Sequence, residues 1–191
     1  MIGLFGGAFD PPHNGHVALV DTAVRELGLD RVLVLVAATP GHKRIETPPE
    51  VRLELARLAF PGREVVIDPH ARTVELLRAH PEWSDAVFLI GADEFCDFPA
   101  WHEPDEVLRR ARLAVATRPG YPAEQLQTVL DRLEAPERVL LFELEPWPVA
   151  SRSLRARLAR GEDASDAVPA AVWDVIERTG LYGRGGYTGR A

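Results

Sequence analysis

The sequence is poor in the residues that would place it in several common classes of protein. Its 191 residues include one cysteine, Cys96, so neither an intramolecular disulfide nor a cysteine zinc cluster can form. We interpret Cys96 as a small buried apolar residue without a function of its own. No apolar run approaches the length of a membrane span, and the opening MIGLFGGAFD lacks the basic start of a secretory signal. These absences predict a cytoplasmic protein that does not contact a membrane.

Positive charge is also scarce. The chain has 22 lysine and arginine residues against 29 aspartate and glutamate residues, and its formal net charge is −7. This balance argues against a surface that binds nucleic acid by neutralising the phosphate backbone. Only one of the basic residues, Lys43, is a lysine. A compact ammonium in an arginine-rich chain marks Lys43 as a candidate anion ligand, although a solvated loop charge is the structural alternative.

The remaining composition, 46% hydrophobic and 27% charged, is typical of a globular protein. We predict one domain over residues 1–182 and a flexible glycine-rich tail over residues 183–191. Short buried strands are predicted at 1–5, 31–37, 64–67, 86–90, 113–116 and 139–144. Helices are predicted between and after them, at 15–27, 48–60, 73–80, 104–110, 123–133, 151–160 and 169–179. This alternation indicates an α/β fold, a doubly wound parallel sheet that binds ligands at the carboxyl ends of its strands.

The first strand leads into GGAFDPPHNGH, residues 6–16, which has two histidines at the start of a helix. Free N–H groups and the positive end of a helix favour an anion there, and Gly6, Gly7 and Gly15 would let the backbone approach it. His13 and His16 add directional donors. A packing turn is the structural alternative. A metal site is disfavoured because no third ligand and no His-Glu-x-x-His spacing accompany the histidines. The three-glycine dinucleotide pattern is also absent, which argues against hydride transfer.

A second group of polar residues follows the fourth predicted strand. Gly91 leaves room for a nucleotide, and the carboxylate of Asp93 can accept hydrogen bonds from ribose hydroxyls or the adenine edge. A simple turn is the alternative interpretation. Since the carboxyl ends of parallel strands meet at one edge, we expect residues 91–93 to lie near residues 6–16, 39–44 and 117–120.

The segment GGAFDPPHNGH resembles the Gly-x-Phe-Asp-Pro-x-His-x-Gly-His signature of the nucleotidyltransferase superfamily that includes nicotinate mononucleotide adenylyltransferase. Further segments are similar to motifs of that superfamily: PGHK at 40–43, GADEFCDFPAWH at 91–102, TRPGY at 117–121, VASRSLR at 149–155 and GLY at 180–182. The Gly-Ala-Asp segment with its Trp-His and the Arg-Pro-Gly-Tyr turn resemble the bacterial nicotinate mononucleotide branch.

The resemblance implies a Rossmann-like nucleotidyltransferase that moves the adenylyl group of ATP, with Mg²⁺, onto nicotinate mononucleotide. It implies catalytic roles in phosphate binding for His13, His16, Lys43 and Arg155. On the ATP side it implies binding by Gly6, Gly7, Phe9, Gly15, Gly91, Asp93 and Ser151. On the acceptor side it implies binding by Thr39, Thr73, Trp101 and Arg118. Its partners would be small molecules, and a homo-oligomer is compatible with it. We interpret Asp10 as an organiser of the loop, because an acceptor phosphate is already ionised and needs no base.

Two segments depart from the family pattern. The family usually has Tyr-Thr-x-x-Thr where this chain has PHART at 69–73, so that Thr73 alone is retained. Arg152 stands where the family has serine or threonine. The alternatives therefore include other acceptors, namely nicotinamide mononucleotide or phosphopantetheine, a cytidylyltransferase, and a nucleotide-binding protein without turnover. For Trp101 the alternative to stacking on the pyridine ring is a place in the core.

Overall fold

The computed structural model describes residues 1–39 and 45–183. Within them the strands form one parallel sheet in the order β3-β2-β1-β4-β5-β6. The strands are β1 (Ile2–Gly7), β2 (Arg31–Ala37), β3 (Glu64–Asp68), β4 (Val87–Gly91), β5 (Arg112–Thr117) and β6 (Val139–Glu143). The helices are α1 (Asn14–Leu27), α2 (Pro49–Ala59), α3 (Thr73–Ala79), α4 (Ala92–Asp97), α5 (Pro104–Arg110), α6 (Ala123–Leu130), α7 (Ser151–Ala159) and α8 (Ala170–Thr179). The predicted doubly wound sheet is confirmed.

The two faces of the sheet are buried by different helices. Along β2, Val32, Val34 and Val36 belong to a core formed with α1, α2, α7 and α8. Leu33 and Leu35 belong to a second core, formed with α3, α4, α5 and α6. Because successive side chains of a strand point to opposite faces, a strand covered on both sides needs an uninterrupted apolar sequence. The run RVLVLVA is such a sequence.

Strand β1 is the point where the direction of winding reverses. It pairs with β2 on one side and with β4 on the other. The chain proceeds outward from β1 through β2 to β3, then crosses back to β4. The loops after β1 and β4 therefore separate at their carboxyl ends and leave a crevice between them.

The helix α4 was not predicted. It follows β4 directly, and its six residues are too few to show a helical period in the sequence. Helix α6 ends at Leu130, three residues before the predicted end, and Gly28 ends α1 in the predicted left-handed conformation, with φ of 62°. The single domain and its flexible tail stay predictions, since residues 184–191 lie outside the described part of the chain. No described helix is long and apolar enough to cross a membrane.

Candidate active site

A cleft of about 1250 Å³ lies at the carboxyl ends of the strands. Of the predicted site residues, the following line it: Gly6, Gly7, Phe9, His13, Gly15, His16, Thr39, Thr73, Gly91, Asp93, Trp101, Arg118, Ser151 and Arg155. Lys43, also predicted, lies outside the described residues. The fold thus brings together residues that are up to 149 positions apart in the chain, from Gly6 to Arg155. Their individual roles stay predictions.

His13 and His16 hold each other at the start of α1. The Nδ1 atom of His13, the N-cap residue, accepts the backbone N–H of His16 at 3.3 Å. In return, Nδ1 of His16 accepts the backbone N–H of His13 at 3.2 Å. The two rings stack with their centroids 3.6 Å apart. Because Nδ1 of His13 is an acceptor, the proton of its neutral ring belongs on Nε2, where it can be donated to a ligand.

Burial sets the charge of His13. Its side chain is 7% exposed, and this burial lowers the pKa of His13 to about 4. His13 is therefore a neutral donor near neutral pH and not a cation. The ring of His16 packs against Phe9, with centroids 5.2 Å apart. Phe9 is 1% exposed and adopts a φ of 49°, unusual for a residue with a side chain, and its buried ring is held against that of His16.

The glycines of the first turn serve its packing. A Cβ on Gly7 would lie 2.9 Å from Cζ of Phe9, and one on Gly6 would lie 3.1 Å from Cζ of Phe88. Aromatic rings therefore lie where a side chain at Gly6 or Gly7 would be, and the expectation that these glycines let the backbone approach an anion stays a prediction. Gly91 differs, because no atom lies within 4 Å of an added Cβ. Gly91 is therefore the position where a missing side chain keeps the cleft open.

The first turn of α7 is attached to the loop after β1. The hydroxyl of Ser151 donates to the carbonyl of Pro11 at 2.9 Å, and the guanidinium of Arg155 donates to the carbonyl of Asp10 at 2.5 Å. Helix α7 has no acidic residue in its first turn, and its N-cap is Ala150, which has no oxygen in its side chain. Arg152, exposed on the cleft, lies in the same turn. A cation at the positive end of a helix is unfavourable unless an anion balances it, so this end of the cleft favours a negatively charged ligand.

Asp10 organises this loop as interpreted from the sequence. It is 2% exposed, and its carboxylate accepts a hydrogen bond from the hydroxyl of Tyr182 at 2.8 Å. The same carboxylate lies 3.5 Å from Arg155. Burial, together with the charge of Asp10, raises the pKa of the Tyr182 hydroxyl. Asp10 therefore joins the C-terminal turn, α7 and the histidine loop.

The carboxylate of Asp93 is positioned by a residue that was not selected from the sequence. The hydroxyl of Tyr121 lies 3.3 Å from Oδ1 of Asp93 and 3.3 Å from Sγ of Cys96. The guanidinium of Arg118 lies over the ring of Tyr121, at 5.4 Å. Cys96 is half-buried and adjoins the cleft through Tyr121, so its predicted burial is only partly met. Tyr121 belongs to the TRPGY segment, which was the available signal.

Trp101 has features of both interpretations, a core residue and a residue that could stack on a ligand. Its ring packs edge-on against Phe98, with centroids 5.2 Å apart, and against Phe88 at 6.3 Å. It nevertheless lines the cleft. In the PHART segment, which also lines the cleft, Nδ1 of His70 lies 2.8 Å from Oδ1 of Asp68, and Thr73 begins α3. Aromatic and polar groups thus both line the cleft.

Sequence reasoning also missed Arg52, which is 1% exposed on the core face of α2. Its guanidinium donates hydrogen bonds to backbone carbonyls just after β1 and at the end of β2. The sequence did contain a signal for a buried arginine, because Arg52 falls in the helical pattern on the same face of α2 as Leu55, Ala56 and Ala59. Among the described residues, no group of three or more histidine, cysteine, aspartate or glutamate side chains could hold a metal ion.

Comparisons with known proteins agree with this geometry. The family described as cytidylyltransferase-like matches residues 4–164. The "Probable nicotinate-nucleotide adenylyltransferase" of Thermomicrobium roseum is 38% identical, with 95% of this chain and 91% of that protein covered. The protein of the same name from Thermus thermophilus is 36% identical, with 95% and 98% covered.

A solved structure has a similar fold. The Plasmodium falciparum nicotinic acid mononucleotide adenylyltransferase complexed with NaAD superimposes with a TM-score of 0.72. The superposition covers 95% of this chain and 96% of the other. At 16% sequence identity, this likeness concerns the fold alone.

Proposed function

Because the chain belongs to the cytidylyltransferase-like family and, within it, to the nicotinate-nucleotide adenylyltransferases, we propose that it transfers the adenylyl group of ATP to nicotinate mononucleotide. The products are nicotinate adenine dinucleotide and pyrophosphate. The observation that carries this proposal is the stacked pair His13 and His16 at the start of α1, with Ser151 and Arg155 of α7 hydrogen-bonded to the loop that leads into the pair.

In the proposed reaction, a phosphate oxygen of nicotinate mononucleotide attacks the α-phosphorus of ATP in line. The new P–O bond forms as the bond to the β-phosphate oxygen breaks, and pyrophosphate leaves with its Mg²⁺. The attacking phosphate is already ionised, so no general base is required. Catalysis then consists of positioning and of stabilising the charge on the phosphoryl oxygens. Removing one of the two histidine donors should lower kcat on the order of 10² to 10³-fold.

Two groups of residues would hold ATP. Arg155, Ser151 and the free N–H groups at the start of α7 are suited to the β- and γ-phosphates, with Lys43 contributing from its own segment. Asp93 is suited to the hydroxyls of the ribose or the adenine edge, since Tyr121 fixes its carboxylate and Gly91 leaves room beside it. Phe9 supports the ring of His16, against which it packs.

Trp101 is suited to stack on the pyridine ring of the acceptor, and Thr39, Thr73 and Arg118 are polar residues that line the same cleft. We further propose that Mg²⁺ enters with ATP, that the protein acts in the cytoplasm, and that its partners are small molecules and not nucleic acid. The net charge of −7 supports the last point. The chain could act as a monomer or a homo-oligomer, which gel filtration would distinguish.

The test offers the purified protein ATP and Mg²⁺ with either nicotinate or nicotinamide mononucleotide and follows pyrophosphate release and the mass of the dinucleotide. We expect the nicotinate product and a clear preference over nicotinamide. A matched His13→Asn variant, whose side-chain oxygen can still cap α1, should lose most of the activity. Absence of pyrophosphate release with either mononucleotide would refute the proposed function. Turnover with nicotinamide mononucleotide alone would mean that this compound, and not nicotinate mononucleotide, is the acceptor.

A further inference from the structure

Arg52 carries a buried charge that the proposed reaction does not use. It lies on the face of α2 that packs on the sheet, where Leu55, Ala56 and Ala59 are its neighbours in the helical pattern. An apolar residue would satisfy packing at this position. Burying a guanidinium is strongly unfavourable unless hydrogen bonds replace its water. The partners of Arg52 should therefore indicate why it is there.

Those partners are four backbone carbonyls from three places in the chain. One Nη donates to Ala8 and to Ala37, both at 2.8 Å. The other Nη donates to Ala38 at 3.2 Å, and Nε donates to Thr47 at 3.0 Å. Ala8 lies just after β1, Ala37 and Ala38 lie at the end of β2, and Thr47 lies just before α2. A planar fork of donors can reach such a set, whereas a single ammonium cannot.

The charge of Arg52 is balanced at a distance. Burial lowers the pKa of Arg52, and the charge of Asp10 opposes that shift. Asp10 is itself buried and lies beside Arg155. The guanidinium of Arg52 remains ionised, since arginine does not lose its proton in proteins. The charge of Asp10, a carboxylate of the histidine loop, thus offsets part of the cost of burying Arg52.

The four carbonyls belong to the turn that precedes His13 and to the described residues that flank the segment containing Lys43. Ala8 lies five residues before His13, and Ala38 and Thr47 lie on either side of residues 39–46, the segment that contains Lys43. We propose that Arg52 is a positioning residue for adenylyl transfer, which fixes the turn before His13 and His16 relative to both ends of that segment. This inference takes the reaction from the proposed function. Its geometric basis is the set of four hydrogen bonds described above.

The test compares three variants at one temperature, chosen so that thermal melts show each to be folded. Arg52→Met removes the donors and keeps much of the length of the side chain, and Arg52→Lys keeps the charge but not the fork. Arg57→Met is the matched control, because Arg57 is exposed on the same helix. A displacement of about 1 Å in catalytic groups can cost on the order of 10²-fold in rate. We expect kcat to fall about 10²-fold for Arg52→Met, about 10-fold for Arg52→Lys and less than about twofold for Arg57→Met.

A merely structural role would give a different pattern. If Arg52 only anchors α2, Arg52→Met will melt at a lower temperature while the folded enzyme keeps its kcat to within about twofold. That result would overturn the proposal. If Arg52→Met does not fold, Arg52→Lys decides in the same way, since wild-type kcat in a folded lysine variant would equally overturn it.

The inference is separable from the proposed function. If the wild-type protein turns over no pyridine mononucleotide, the proposed function fails, and the affinity for α,β-methylene-ATP, measured by calorimetry, tests Arg52 instead. We then expect binding to weaken about 10-fold or more in Arg52→Met and to stay unchanged in Arg57→Met. Equal affinities of wild type and Arg52→Met would overturn the positioning role.

Discussion

The low pKa of His13 makes the stability of the protein sensitive to mild acid. In the unfolded chain a histidine takes up a proton near pH 6.5, whereas burial lowers the pKa of the folded His13 to about 4. As the pH falls between these values, only the unfolded state gains the proton, so the folded state loses stability. The full difference corresponds to roughly 3 kcal/mol, of which about 2 kcal/mol is lost between pH 7 and about pH 4.5.

Urea denaturation of wild type and His13→Asn at these two pH values measures this loss. Asparagine retains a cap for α1 without a titrating group, and the carboxylates that also titrate affect both proteins alike. Wild type should lose about 2 kcal/mol more than the variant over this range. In NMR spectra the Cε1–H signal of His13 should not titrate near pH 6.5. The reasoning is refuted if that signal titrates there, or if the two proteins lose stability in parallel.

Four further substitutions test the cleft. Gly91→Ala should leave the melting temperature nearly unchanged and raise KM for ATP, because the new methyl group enters open space. Gly7→Ala should instead lower the melting temperature, since its Cβ would lie 2.9 Å from the ring of Phe9, and the opposite pattern would contradict the distinction drawn between these glycines. Trp101→Leu should raise KM for the mononucleotide about 10-fold and change KM for ATP little, as expected for one lost stacking contact. Initial-rate kinetics with each substrate varied measure both constants. If Trp101 is only a core residue, KM for the mononucleotide will not rise selectively. Arg152→Ser should weaken ATP binding, most strongly at low salt; tighter binding by calorimetry would mean that Arg152 obstructs the triphosphate.

Most of the sheet and the first histidine loop could be predicted because their signals are local. A few neighbouring residues are enough to recognise each of these features. They include apolar runs such as that of β2, the glycine that ends α1, and the polar residues after β1 and β4. The rule that ligands lie at the carboxyl ends of parallel strands then predicted one shared cleft. Helix α4 was missed because its six residues are too few for a helical period to appear in the sequence.

The glycines at the end of β1 show what local reasoning leaves open. Gly6 and Gly7 were expected to let the backbone approach an anion, and that expectation stays a prediction. The sequence does not say what lies beside them. Only packing reveals that the rings of Phe88 and Phe9 lie where their side chains would be, while Gly91, with no such neighbour, faces the open cleft.

The sequence by itself determined which residues could form the strands, where the chain turns, and which side chains have the chemistry for binding phosphate. The tertiary structure alone decided how those side chains are held. Tyr182 reaches Asp10 across 172 positions of the chain, and Arg155 reaches the same residue across 145. Arg52 joins the ends of two strands, and burial keeps His13 neutral. Periodicity reports only on near neighbours, whereas burial, pKa and contacts of this kind depend on segments that meet only when the chain has folded.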